Sequence, residues 1–253
     1  MAKAKIGLIG IVVKEAQDNF WPTMEQVARI GYRGLEWPPG PLLEGDVEAN
    51  LDRLGEIGLE ILTVKAKREI LWASPEQIIA QAKLLRAPRA SVWFGPCESK
   101  DQIIADAHKY NTAGAILAEA GIQLCYHNHA HEFATEFDGT CAWDILVDNT
   151  DPAVVTFEPD IAWIAYAGAD PVDVIKRLAG RIPAIHVKDL YSLAERGMFT
   201  AVGTGVVKTN ESVAAAIEAG AEWVVVEQDS IRNLTAMETI TASYLNLKEA
   251  GLA

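Results

Sequence analysis

Cysteine is scarce in this chain. The three present, Cys97, Cys125 and Cys141, are odd in number and lack C-x-x-C spacing, so neither a disulfide framework nor a thiolate zinc site is expected and they read as free, buried thiols. Basic charge is short as well: 22 Lys and Arg stand against 35 Asp and Glu, a formal charge of -13, which leaves no cationic face for nucleic-acid phosphates. No apolar run reaches the roughly 20 residues that span a bilayer, and no membrane partner is expected. The opening MAKAKIGLIG has no signal-peptide cleavage region after its short apolar stretch, so the expected location is the cytoplasm. No G-x-G-x-x-G follows the first strand-like stretch, which argues against an open dinucleotide-binding sheet. No linker or low-complexity segment interrupts the chain, and one domain over residues 1–253 is expected.

What is present is apolar patterning with a repeating joint. Half of the 253 residues are hydrophobic, and the length is close to the roughly 250 residues of an eightfold β/α barrel. Four times a helical pattern ends in an aliphatic residue and a glycine, with a strand-like run just behind: ARIGYRGLEW, GEIGLEILTV, AEAGIQLCYH and IEAGAEWVVV. Glycine past a helix end can adopt the left-handed conformation that closes it. The pattern predicts strands over 5–13, 33–37, 59–66, 89–94, 122–128, 153–158, 182–187 and 222–227. Helices are predicted over 22–30, 46–57, 75–86, 100–119, 141–148, 171–179, 210–219 and 233–250, with Ser74, Asp170 and Asn210 as caps. Alternating units of this number imply an α/β fold, a single (β/α)8 TIM barrel whose chemistry sits at the C-terminal ends of the strands.

Those ends carry a dense set of carboxylates and imidazoles. In IQLCYHNHAHEF the histidines at 127, 129 and 131 alternate at the strand period, which would send all three from one face. Asp160, His186 and Glu227, from three consecutive strands, form a candidate metal set, with a fourth ligand from His127, His129 or Glu132. Mixed oxygen and imidazole donors without thiolate suit one divalent ion, Mn, Mg, Co, Fe or Zn. A helix-capping role for each acid and a core role for His186 are the plain alternatives. Trp37, Trp93 and Trp163 fall at or near strand ends, where aromatic faces can meet a sugar ring or serve as packing. Lys65 and Lys188 are candidates for holding an anionic group or polarising a carbonyl, and VGTGVV at 202–207 reads as a flexible rim with a weak phosphate signal.

These residues resemble the sugar phosphate isomerase/epimerase family of the xylose isomerase-like barrel superfamily, over nearly the whole chain. The resemblance is carried by VARIGYRGLEW, YHNHAHEF, FEPDIAWIAYAGADPVDVI, RIPAIHVKD and VGTGVV followed by WVVVEQDS. It implies a divalent metal held by Asp160, His186 and Glu227, matching the strand-six, strand-seven and strand-eight ligands. At strand five His127 stands where the family has a glutamate, and Trp163 stands where many members have a substrate-binding histidine. Glu132, Glu158 or Glu36 could then supply a second carboxylate.

The implied chemistry is proton abstraction next to a carbonyl through an enediolate, acting on a small-molecule sugar. Glu227 is the expected ligand and base, Glu132 and Lys188 are further catalytic candidates, and Glu36, Trp37, Lys65, Trp93, His129, Glu158 and Trp163 are expected to bind substrate. A sugar isomerase or epimerase is the first expectation and a keto-sugar or inosose dehydratase the second. A metal-free sugar-binding barrel is the rival of another class, and an apurinic endonuclease is disfavoured by the acidity. The sequence leaves a homo-oligomer open.

Overall fold

The computed structural model describes residues 3–36 and 40–252. Eight parallel strands follow one another in chain order: β1 (Lys5–Ile9), β2 (Gly34–Glu36), β3 (Glu60–Lys65), β4 (Arg89–Val92), β5 (Gln123–His127), β6 (Val155–Glu158), β7 (Ala184–Val187) and β8 (Trp223–Glu227). They pair in the order β6, β5, β4, β3, β2, β1, β8, β7. The seam between β6 and β7 is drawn together where Phe157 N donates to Arg181 O at 2.9 Å, His186 N donates to Pro159 O at 3.0 Å, and Asp160 bridges His186. Helices lie between consecutive strands, and the result is a single (β/α)8 barrel. No helix among the described residues is long and apolar enough to cross a membrane.

The joints form as the glycine pattern predicts. Gly31, Gly58, Gly121 and Gly220 all take positive φ, between 78° and 132°, at helix ends, which residues with a Cβ adopt only under strain. Strand and helix bounds agree with expectation to within a few residues, with three instructive differences. The first strand stops at Ile9, because Gly10 turns the chain at φ 74° and a helix begins at Val13. Asp170 caps its helix by accepting from Val172 N, but Ser74 makes no side-chain cap bond, and Asn210 lies inside a helix that starts at Thr209. Short helices at Val13–Asp18, Arg68–Ala73, His131–Ala134 and Ile161–Tyr166 were not signalled by periodicity, since one or two turns are too short to show it.

Two cores result. The large one fills the space between strands and helices, and a small one of Ile9, Leu62, Ala184, Trp223 and Val225 plugs the barrel interior. A register shift between Leu35 and Glu36 inserts Leu62 as an extra residue opposite β2. Leu62 folds over Gly34, where a Cβ would approach its side chain to 2.6 Å. The bulge brings Glu36 opposite Thr63, whose hydroxyl donates to it at 3.1 Å.

Candidate metal centre and active site

Period-two alternation sends every second residue of a strand to the barrel axis. The last inward position of five strands is polar: Glu36 on β2, His127 on β5, Glu158 on β6, His186 on β7 and Glu227 on β8. Asp160 follows directly after β6. There it caps the helix Ile161–Tyr166, its Oδ1 accepting from Ala162 N and Trp163 N at 3.0 Å each. Asn128 Oδ1 accepts from Asp160 N at 3.0 Å and fixes the turn. Candidate ligand atoms of His127, Asp160, His186 and Glu227 all lie within 4.8 Å of one another.

His186 is gripped on both nitrogens, Nδ1 facing Glu227 Oε2 at 2.7 Å and Nε2 facing Glu36 Oε2 at 2.8 Å. Burial alone would lower its proton affinity, but Glu36 and Glu227 outweigh burial and hold it well above the usual histidine range. His127 goes the other way: burial, then the neighbouring His186, keep it neutral. Lys188, only 1% exposed, contacts Asp229 at 2.7 Å, Glu227 at 3.1 Å and Asp160 at 3.2 Å. Burial opposes its charge, and the three carboxylates overcome that opposition.

This cluster fits a divalent cation on two observations. His127 Nδ1 is buried without a hydrogen-bond partner among the described residues, and buried Asp160 Oδ2 accepts no hydrogen bond, facing the Lys188 ammonium at 3.2 Å. Four carboxylates, Glu36, Asp160, Glu227 and Asp229, against the Lys188 ammonium and the His186 imidazolium also leave two net negative charges, and such charge is costly without compensation. Neutral imidazole and carboxylate donors suit Mn, Fe, Co or Zn.

The remaining expected residues fall into three groups. His129 and Trp163 stand beside the cluster, 5.9 Å apart by ring centroids, and His129 Nδ1 and Trp163 Nε1 are both buried without partners. Burial and the Lys188 charge push His129 down to about 4, so its imidazole is neutral. β5 ends at His127, so the three histidines do not share one strand face: His129 lies in the loop and His131 opens a one-turn helix. Glu36 and Glu158 lie in the barrel interior against His186. Glu132 is turned away from the cluster into its own loop, where Tyr126 Oη donates to it at 2.9 Å and His129 N at 2.9 Å. Lys65 stands over the Trp93 ring at 3.5 Å. Trp37 lies outside the described residues.

Asp229 and Asn128 fall within the strand-end stretches His127 to Glu132 and Glu227 to Asp229 that the sequence picks out, but sequence reading assigns neither a role. Asp229 follows Glu227 by two, and the strand period could have assigned it to the same face. The 202–207 run is clamped, since Asp189 accepts from Leu190 N, Gly203 N, Gly205 N and Val207 N at 2.8 to 3.1 Å, which leaves those amides unavailable to a phosphate.

The family model for xylose isomerase-like TIM barrels matches residues 24–243. An inosose dehydratase from Geobacillus kaustophilus (strain HTA426) is 32% identical over 160 residues, covering 57% of this chain and 50% of that protein. The chain spans about half the length of the curated relatives it matches. Among solved structures, a sugar phosphate isomerase/epimerase from Parabacteroides distasonis ATCC 8503 superposes with TM-score 0.84 at 23% identity, covering 100% of this chain and 96% of that one. The IOLI protein with a binding zinc atom superposes with TM-score 0.76 at 15% identity, covering 97% of each chain. At these identities the superpositions speak to the fold.

Proposed function

The chain belongs to the xylose isomerase-like TIM barrel family, and from that premise we propose that it removes the proton next to the carbonyl of a sugar, keto-sugar or inosose. A divalent metal held by His127, Asp160, His186 and Glu227 would assist. The observation that carries this reading is the four-residue cluster, in which buried His127 Nδ1 has no hydrogen-bond partner and Asp160 Oδ2 accepts no hydrogen bond and faces only the Lys188 ammonium among the described residues; the zinc of the IOLI protein supports it. When bound, such a metal supplies Lewis acidity at the substrate's carbonyl oxygen, worth several kcal/mol of charge stabilisation. Glu227 is the one partly exposed member of the cluster, 16% by its side chain, so it meets the incoming C–H as base. Lys188 holds the Glu227 carboxylate in place through its 3.1 Å contact. His129 Nδ1 and Trp163 Nε1 receive substrate oxygens, satisfying two buried polar atoms.

Loss of water from the resulting enediolate is the outcome we favour. A two-base epimerase needs a second carboxylate across the substrate, whereas here Glu132 is committed to its loop and Glu36 and Glu158 lie in the barrel interior. Asp229, two residues past Glu227 on the same strand end, is tied to Lys188 at 2.7 Å, and His129 beside the cluster is neutral. The curated relatives, inosose dehydratases, support the same outcome. Epimerisation or aldose–ketose isomerisation shares the proton removal, and the full-length likeness to a sugar phosphate isomerase/epimerase supports it as the second reading.

Incubating the Mn²⁺-loaded protein with ketoses, 3-keto sugars and inososes in D₂O distinguishes these outcomes. An unsaturated, dehydrated product is expected. Deuterium at the α-carbon without loss of water would replace elimination by epimerisation or isomerisation. No reaction, together with no bound metal, would leave a sugar-binding barrel.

A further inference from the structure

Behind the cluster at the mouth lies a second group whose candidate ligand atoms fall within 4.8 Å of one another: Glu36, Glu158 and His186. All three are at most 3% exposed. Glu36 is supplied with donors, Thr63 Oγ1 on one oxygen and His186 Nε2 facing the other. Glu158 is not. Neither of its oxygens has a hydrogen-bond partner, although the residue is fully buried. Ser91 Oγ is also buried without such a bond. A buried carboxylate left without donors costs several kcal/mol and is retained only where something compensates it.

We propose that Glu36, Glu158 and the Nε2 atom of His186 form a second divalent-cation site inside the barrel, bridged through the His186 ring to the cation at the mouth. The two ring nitrogens already face different carboxylates, Glu227 from Nδ1 and Glu36 from Nε2, so one ring offers a nitrogen to each site once both of its N–H protons leave, one as each cation binds. Two carboxylates and an imidazole are donors for Mn²⁺, Fe²⁺ or Zn²⁺. The second cation makes the orientation of the first site's histidine depend on Glu36 and Glu158. The inference stands whichever reaction the mouth performs.

The test is metal stoichiometry by elemental analysis of the full chain, purified without chelator and equilibrated with Mn²⁺, alongside Glu158→Gln and Asp160→Asn. The expected result is two Mn²⁺ per chain in the unaltered protein and one in each variant. Melting provides a second readout. Mn²⁺ is expected to raise the melting temperature of Glu158→Gln by less than it raises that of the unaltered chain, each measured against its own value in EDTA. One Mn²⁺ in both the unaltered chain and Glu158→Gln, lost in Asp160→Asn, overturns the second site and leaves the mouth site standing. Two Mn²⁺ retained in Glu158→Gln overturns the assignment to Glu158. No Mn²⁺ in any of the three overturns both sites.

Discussion

A carboxyl buried among apolar atoms holds its proton more tightly than one in water, and Glu132, 1% exposed, is such a group. Burial pushes its pKa from 4.5 up to about 7, against the bonds from His129 N and Tyr126 that favour the anion. The folded chain therefore binds more protons than the unfolded chain between these values, so the contribution is full below about pH 4.5 and is lost as pH rises through about 7. In Glu132→Gln this slope should vanish, and urea unfolding across pH 4 to 8 would show the two proteins' stabilities diverging only in that window; parallel curves would contradict it. Asp160 has two separable jobs, capping with Oδ1 and facing the cluster with Oδ2. Because asparagine caps as well as aspartate, Asp160→Asn should keep the fold while weakening Mn²⁺ binding by about a hundredfold or more by calorimetry. Such roles are only partly legible in a sequence. Asp160, His186 and Glu227 stood out because strand ends are where chemistry gathers, whereas the inward turn of His127 and the outward commitment of Glu132 depend on β5 ending at His127.

At the scale of elements, β7 and the loop that follows act together through Asp189. Its four backbone donors come from residues up to 18 positions away, and Gly205 fits only because it has no Cβ, which would come within 2.3 Å of Leu190 O and 2.4 Å of the Asp189 carboxylate. Asp189→Ala leaves buried N–H groups without an acceptor and should cost about 3 kcal/mol, with faster amide exchange at Gly203, Gly205 and Val207. Unchanged exchange there would show that the clamp holds nothing. Helices and strands were legible where glycine joints and β-branched runs repeat, as at Gly58 before β3 and Gly220 before β8. The clamp was not legible: a two-glycine run reads as loose until a carboxylate distant in sequence gathers its amides.

For the whole barrel, the site's excess negative charge couples metal binding to stability. A cation at about 100 times its dissociation constant adds about 2.7 kcal/mol, so EDTA should lower the melting temperature by roughly 5 to 10 °C in a chain of this size. An unchanged melt would argue against a bound cation. The barrel itself was legible from repeated units of the right total length. The β6–β7 seam, held by Phe157, Pro159 and the Asp160 bridge, was not, because closure depends on stagger between strands that carries no sequence signature. His127, Asp160, His186 and Glu227 are proposed to form one metal centre. Anomalous diffraction at the manganese edge from Mn²⁺-loaded crystals tests it most directly. The predicted result is a peak at the barrel mouth within coordination distance of all four side chains; a loaded crystal with no peak among them, or a peak that leaves out Asp160 and His127, would contradict it.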